Sequence, residues 1–454
     1  MADFYLDYRG SDYNGGGYDS TITGATVNLA SGQYAALTAS GLECTAGSTT
    51  VTSIHGGFTT DMIGNYINIY NGYEYTFHCY AITGVPNSTS LELASSPSPS
   101  LDAVSGVGKV GGAWRTLDNL ATGGGVLGWG GKSKVPQAGD TVNIRGNGQH
   151  NPPSGQYTGM EYISVAGGNQ DNPVVYNGYN GRPCFIPIRN NLFWHSSPFC
   201  HIRNIKFQGG KGGYETSISQ INGAVVIHNC IFDQLGSRAK AFNVWEVTNC
   251  YIYNSLQHES DQLSNTHAIV AINNYGHGVN NCVLENLVGN AIFLNCATAT
   301  RNVINNVSGV GIYLQDNGAN YSNRAYFNTV NNCSLTGIQR NGNGTNQVIG
   351  NLVTNCSVGI AEIEALQQYK WGISDTIDYN GLYNNDVNYS GYNGGNNDVL
   401  LTSDPYVDEG SDNLMLNNDI GGGKDCRAGA AISVAGYAKT RNYQDIGALQ
   451  AYDK

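Results

Sequence analysis

Four stretches read alike: NCVLENLVGNAIFL (281–294), NVINNVSGVGIYL (302–314), NTVNNCSLTGI (328–338) and NLVTNCSVGI (351–360). Each opens on an Asn, runs through an apolar dyad to a second polar corner, and resumes as an alternating apolar piece after Gly or Ser. Outward from this block, Asn204 opens NIKF, Asn229 opens NCIFDQLG, Asn249 opens NCYIYNSL and Asn380 opens NGLYNND. The eight openings lie 25, 20, 32, 21, 26, 23 and 29 residues apart. The shorter values set a core period, and the longer ones leave room for loop insertions. Pieces of three to five residues rich in β-branched and aromatic types, punctuated by Gly and Asn, read as short strands. Helix-length stretches of 3.6-residue period are essentially absent. A unit this small cannot bury a face alone, so units must stack. Three short strands per turn of about 22 residues describe an all-β, right-handed, single-stranded parallel β-helix, with roughly ten to twelve coils between residues 135 and 388. Asn suits the corner because it tolerates the left-handed conformation and can bond the Asn above and below.

Composition agrees. Only 12% of the 454 residues are charged, against about 25% in a typical soluble domain. That is too little for a large helical protein, whose solvent faces carry Glu and Lys. With 40% hydrophobic and 10% aromatic residues the chain is not disordered. A net charge of −12 argues against nucleic acid as a partner. No run of 18 apolar residues is present, so no membrane partner is expected. The opening MADFYLDYRG has neither a basic nor an apolar region of the secretory kind. The expectation is synthesis and assembly in a host cytoplasm, or a trimmed signal and an extracellular location. The eleven cysteines show no CxxC spacing. Most recur in one context, as in Asn249-Cys250 and Asn332-Cys333, which predicts small buried thiols stacked from coil to coil.

Several motifs, in order, resemble those of the secreted and viral right-handed β-helix proteins related to pectate lyases. Phe4-Tyr5-Leu6-Asp7 with Gly10-Ser11-Asp12 and Gly15-Gly16-Gly17 resembles their opening strand. Trp114-Arg115-Thr116-Leu117, followed by Ala138-Gly139-Asp140-Thr141-Val142-Asn143-Ile144-Arg145, resembles their entry into the first coil. Asp171-Asn172-Pro173 with Gly181-Arg182-Pro183, then Asp404-Pro405-Tyr406-Val407-Asp408 and Asp445-Ile446-Gly447-Ala448-Leu449, complete the series. In that family the opening strand runs almost directly into the Trp motif. Here the stretch from Gly16 to Gly112 intervenes. It reads as a β module of five to seven strands that caps the open end of the helix, and Phe58 to Ile69 is similar to modules of phage structural β-helix proteins. The expected organisation is residues 1–15 as the N-terminal strand, 16–112 as the inserted barrel or sandwich, 113–400 as coils and 401–454 as a C-terminal cap.

The resemblance implies fold and leaves activity open, because this fold hosts lyases, hydrolases, adhesins and virion proteins. Related lyases use Lys or Arg as base and calcium on clustered carboxylates. No such cluster stands out here, so no catalytic residue, cofactor or metal is assigned, and calcium has no support. His258, Glu259, Asp261 and His267 lie in a long insertion and read first as a solvated loop. Asp316 and Arg324 read as a surface pair. Glu362 and Glu364 alternate on one strand and read as a solvated face, although two carboxylates could serve glycoside hydrolysis. Aromatic residues near the coils are better candidates, because rigid exposed rings stack on sugars. Trp194, Trp245, Tyr275, Tyr313 and Trp371 are the assigned glycan-stacking residues, against the simpler reading that they pack within the coils or cover loops.

The functional expectation is a structural, non-enzymatic bacteriophage virion protein (a capsid decoration, fibre or spike subunit) with glycans on its coil surface. Its partners would be other capsid or tail proteins, further copies in a homotrimer, and a cell-surface polysaccharide. The alternatives are a polysaccharide lyase or glycoside hydrolase, on a tailspike or secreted, and a bacterial surface adhesin.

Overall fold

A computed structural model describes residues 1–11, 13–31, 33, 35–45, 47–70, 78–96, 106–114, 136–146, 156–158, 162–165, 167–186, 192–196, 199–208, 216–217, 225–233, 243–254, 267–272, 278–315, 322–341, 345–363, 376–391, 393–411, 413–417, 426–428, 444–445 and 447. The chain divides into two compact units, residues 1–208 with 221–225, and residues 209–220 with 226–454.

The first unit begins the β-helix. Asp3–Leu6 pairs in parallel with Thr141–Arg145, that strand with Val174–Tyr179, and that with Cys200–Arg203. A second parallel sheet stacks Gln156–Thr158, Cys184–Ile186 and Lys206–Gln208, and a third pairs Tyr162–Val165 with Leu192–Ser196. Val174 and Tyr176 are fully buried while their neighbours face outward, the period-2 alternation of a strand. Gly17–Tyr18 runs antiparallel along Asp3–Phe4, covering an edge that would otherwise offer unpaired backbone groups.

Two motif carboxylates hold this start together. Asp140 accepts hydrogen bonds from the backbone N–H of Ala2 at 2.7 Å and of Gln137 at 2.8 Å. Asp7 meets Arg9 at 2.6 Å and Arg145 at 3.5 Å. Burial alone would raise the Asp7 pKa, but hydrogen bonds from the Arg9 side chain and backbone, with the Arg9 and Arg145 charges, outweigh it and hold the carboxyl below its ordinary value. A depressed folded pKa contributes stability above the unfolded value of about 3.9, and that contribution disappears as pH falls through the folded value. An Asp7→Asn variant should therefore melt below the wild type at neutral pH, with the gap between the two midpoints closing on acidification.

Between these strands the chain builds a closed barrel. Leu37–Cys44, Thr50–Ser53, Ser90–Leu93, His78–Asn87, Tyr66–Tyr70 and Gly106–Val110 follow one another around it, all antiparallel. Leu42, Val51, Ile67, Ile82, Leu91 and Val110 fill its centre at zero exposure. The excursion leaves and re-enters the chain at one place. Gly15 and Gly16 donate to the carbonyls of Gly111 and Gly112 at 3.0 and 3.1 Å, and Trp114 N–H donates to Tyr5 O at 2.9 Å. Trp114, fully buried, stacks on Phe4 with centroids 5.6 Å apart and donates its indole N–H to Asn14 O at 2.6 Å.

The second unit has the same architecture, in seven coils. Its first sheet runs from Val225–His228 through Glu246–Thr248, Gly278–Asn280, Thr298–Thr300, Ser322–Tyr326 and Thr345–Ile349 to Thr376–Asp378. The second runs from Ile231–Asp233 through Tyr251–Tyr253, Val283–Leu287, Val303–Val307, Thr329–Cys333, Leu352–Thr354 and Gly381–Tyr383 to Val399–Leu400. The third runs from Asn243–Val244 through His267–Ile272, Asn290–Asn295, Ile312–Gln315, Thr336–Asn341 and Val358–Ile363 to Val387–Ser390. With the three coils of the first unit, ten turns are described, within the expected range.

The asparagine alignment needs a correction. Positive φ occurs at Asn204, Asn229, Asn249 and Asn281, then at Arg301, Phe327, Gly350 and Tyr379. From Asn302 onward the aligned asparagine therefore sits one residue inside the corner, and the interval of 21 between Asn281 and Asn302 marks the slip. The inner position carries Cys230, Cys250 and Cys282 and then Asn302, Asn328, Asn351 and Asn380. The four asparagines have zero exposure and form a continuous ladder. Nδ2 of Asn302 donates to Oδ1 of Asn328 at 2.9 Å, Asn328 to Asn351 at 2.9 Å and Asn351 to Asn380 at 3.1 Å. Asp398 ends it, accepting the Asn380 backbone N–H at 2.7 Å. A separate, exposed row of left-handed asparagines marks the second corner, with Asn306 donating to Asn286 and Asn332 to Asn306.

All eleven cysteines are free thiols, ten of them buried and Cys44 half-buried. Burial pushes the Cys44 thiol up to about 11 and raises Cys250, while Cys333 is raised first by its hydrogen bond with Cys356 and then by burial. A thiol reagent should label the native protein slowly and reach eleven equivalents only in denaturant, where thiolates form freely. Rapid native labelling of several thiols would contradict the stacked-thiol packing.

Past the last coil, Tyr406–Asp408 and Asn413–Leu416 form an antiparallel hairpin on the outer flank of the second sheet. Tyr406, Leu414 and Leu416 bury against Val303 and Leu352. The Tyr406 hydroxyl lies 2.8 Å from Thr354 Oγ1, and Glu409 accepts from Asn355 Nδ2 at 2.5 Å.

Candidate functional site: an aromatic and amide platform on the third sheet

On the third sheet Ile292, Ile312, Ile338 and Ile360 align and point into the core, with exposures of 2% or less. The next residue on each strand therefore faces outward. That outward row reads Phe293, Tyr313, Gln339, Ala361. Phe293 and Tyr313 are half-buried and stack in parallel, centroids 5.5 Å apart and planes 13° from coplanar. Asn341, two residues beyond Gln339 and on the same face, donates from Nδ2 to the Tyr313 hydroxyl at 2.7 Å. The result is a rigid strip of two half-buried rings with the Asn341 amide beside them, while Gln339 and Ala361 further along the row are buried at 9% and 8% exposure. Such a strip offers apolar area to the CH face of a sugar ring and hydrogen-bonding groups to its hydroxyls.

Beside this strip, Arg340 and Glu362 stand in register with Leu294 and Leu314, which are fully buried. Arg340 Nη1 lies 3.2 Å from Glu362 Oε1, with side-chain exposures of 10% and 19%. This corrects the sequence reading of Glu362 as part of a solvated face. Its row is the inward one, and the arginine on the preceding rung makes that position tolerable, since a buried charge needs a partner. Glu364 lies outside the described residues.

Of the assigned stacking residues, Tyr313 lies in the outward row beside Phe293. Trp245 is half-buried at a bend between Asn243–Val244 and Glu246–Thr248, away from the Phe293–Tyr313 row in register. Trp194 falls on the strand Leu192–Ser196, where only the backbone is described. Tyr275 and Trp371 lie outside the described residues, as do His258, Glu259, Asp261 and Asp316. His267 opens the strand His267–Ile272, and Arg324 faces solvent from the first sheet, between Thr298 and Gln347. Phe293 and Asn341 escaped the sequence reading. The interval of 20 between Phe293 and Tyr313 equals the corner-to-corner interval from Asn281 to Arg301, and that signal would have paired the two rings.

Among the described residues no group of three or more His, Cys, Asp or Glu is arranged to hold a metal ion. No helix among them is long and apolar enough to cross a membrane.

No protein-family model and no curated protein matches the chain. Among solved structures it is similar to the catalytic domain of a GH87 α-1,3-glucanase in complex with tetrasaccharides, at 10% identity over 74% of this chain and 85% of that one, with a TM-score of 0.20. A PL6 family alginate lyase, AlyGC, matches at 13% identity over 60% and 52%, with a TM-score of 0.22. The Gp54 tailspike of Acinetobacter baumannii bacteriophage AP22, in complex with capsular saccharide, matches at 11% over 79% and 56%, with a TM-score of 0.15. At these scores the assignment of a parallel β-helix rests on the strand registers given above.

Proposed function

We propose that the chain is a structural protein of a bacteriophage particle, a decoration, fibre or spike subunit, that holds glycans on its third sheet without cleaving them. The Phe293–Tyr313 stack with its Asn341 hydrogen bond carries the glycan half of this reading. A ring pair fixed on paired strands loses little freedom on binding, so its contact area converts well into affinity. Glu362, on the row beside the rings, is engaged by Arg340, which suits a positioning ion pair better than a proton donor. The particle half rests on the fold and on the barrel inserted at its first coil. Other coat or tail proteins, or further copies of this chain, would be the partners.

Retention on a panel of immobilised capsular and cell-wall saccharides tests the first half. A Tyr313→Ala variant should lose about five- to tenfold in affinity, the worth of one aromatic stack, while its circular dichroism stays that of the wild type. Binding that survives both Tyr313→Ala and Phe293→Ala would move the glycan elsewhere. Mass spectrometry of purified particles tests the second half, since a stoichiometric component appears at fixed copy number. Release of unsaturated uronates or new reducing ends from any of these saccharides would overturn the non-enzymatic reading in favour of a lyase or hydrolase.

A further inference from the structure

The second sheet has its own outward face. Ile252 is 1% exposed and points inward, so Tyr251 and Tyr253 on either side of it both point out. Their rings stack at 4.6 Å with planes 25° apart, and Tyr251 is 36% exposed. Glu285 pairs with Tyr253 on the following strand, and its Oε2 accepts the Tyr251 hydroxyl at 2.5 Å. Asp233 pairs with Tyr253 on the preceding strand. Tyr253 thus lies between Glu285 and Asp233, the latter buried at 6% exposure, with the Tyr251 ring stacked upon it.

Further along the same face the protein covers its own surface. The outward residues Val303 and Leu352 are 8% and 0% exposed beneath the hairpin that carries Tyr406, Leu414 and Leu416. At Tyr251 the outward row changes from aliphatic to aromatic, and this ring is open to solvent.

We infer that Tyr251, Tyr253 and Glu285 form a second saccharide site, specific for an amino sugar that bears a free ammonium group. A tyrosine face takes the CH face of a pyranose ring and also attracts a cation. A carboxylate offers about four lone-pair directions, of which the Tyr251 hydroxyl takes one, leaving Glu285 able to accept an ammonium N–H. Glu285 beside Tyr253 and the overall charge of −12 disfavour uronates and other anionic sugars. This site shares no residue with the third-sheet platform and does not depend on it.

Calorimetric titration of the full chain with a glucosamine tetramer and with its N-acetylated counterpart tests the assignment. The free-amine tetramer should bind, more weakly as salt is raised, and the N-acetylated one should bind at least about tenfold more weakly, because it cannot form the charge-assisted bond. Glu285→Gln should remove that preference and Tyr251→Ala the binding itself, with circular dichroism unchanged in both. Tyr313→Ala should leave this titration as in the wild type, so failure at the third sheet is read separately. Equal affinity for the two tetramers, or an unchanged preference in Glu285→Gln, would overturn the inference.

Discussion

An Asn351→Leu variant should lose about 3–5 kcal/mol of stability, because it breaks four buried hydrogen bonds worth about 1 kcal/mol each. Asn351 Oδ1 accepts from both the backbone N–H and Nδ2 of Asn328, and its own Nδ2 donates to Ala325 O at 2.9 Å and to Asn380 Oδ1. Leucine has the same side-chain branching but bulkier methyl ends, and it can make none of these bonds. Four polar groups in a row of zero exposure would then face an apolar side chain, with no route for water to replace it. The exposed ladder supplies the control. Asn332→Gly also removes an inter-coil amide bond, to Asn306 at 2.6 Å, and glycine accepts the φ of +52° there; solvent can satisfy what remains, and the cost should stay below about 1 kcal/mol. Urea unfolding of the three proteins measures this as midpoint shifts at constant slope. Equal shifts for the two variants would mean that the inner ladder fills space and does little else.

That contrast also marks how far sequence reasoning reached. A repeated Asn near every 20 to 26 residues was enough for the fold and the coil count, and it placed the left-handed corner only as far as Asn281. It could not separate two asparagine positions one residue apart, because both precede the same apolar dyad. One position needs an amide for its left-handed backbone and the other needs it for its hydrogen bonds. Once Arg301, Phe327, Gly350 and Tyr379 take over the corner, the letter N persists while its role changes. The platform was legible by half for a related reason. Tyr313 stands out as a tyrosine in a coil, whereas Phe293 looks like one more core residue in AIFL. Only the strand register shows that Ile292 and Leu294 face in and Phe293 faces out. Glu362 was misread because its charge was taken to mean solvent, although Ile360, two residues before it on the same strand, sets the inward parity. The inserted barrel was legible as an interruption between two motifs. That its ends meet at Gly15–Gly16 and Gly111–Gly112 follows from backbone pairing that no local pattern announces.

At that junction a Gly16→Ala substitution should cost about 3–5 kcal/mol, from two sources that can be measured apart. Gly16 has φ +72°, where any side chain crowds its own backbone by about 1 kcal/mol or more. A Cβ there would also stand 2.0 Å from Trp114 Cε2 and 2.2 Å from Cδ2. The indole cannot retreat, since Phe4 stacks on it and Asn14 O holds its N–H. Gly47 isolates the first source, with φ +78° and nothing within 4 Å of the added carbon, so Gly47→Ala should cost only about 1 kcal/mol. Combining Gly16→Ala with Trp114→Leu isolates the second. If the clash dominates, the pair loses less than the sum of the single variants, a favourable coupling of about 1–2 kcal/mol. Strict additivity would mean that the strain is in the backbone alone. Either way the loss falls where the barrel joins the first coil, because Gly16 N–H also holds Gly112 O at 3.1 Å. Native-state hydrogen exchange should then show protection falling in Asp3–Leu6 and Thr141–Arg145 while the barrel strands, whose core of Leu42, Ile67 and Val110 is untouched, keep theirs.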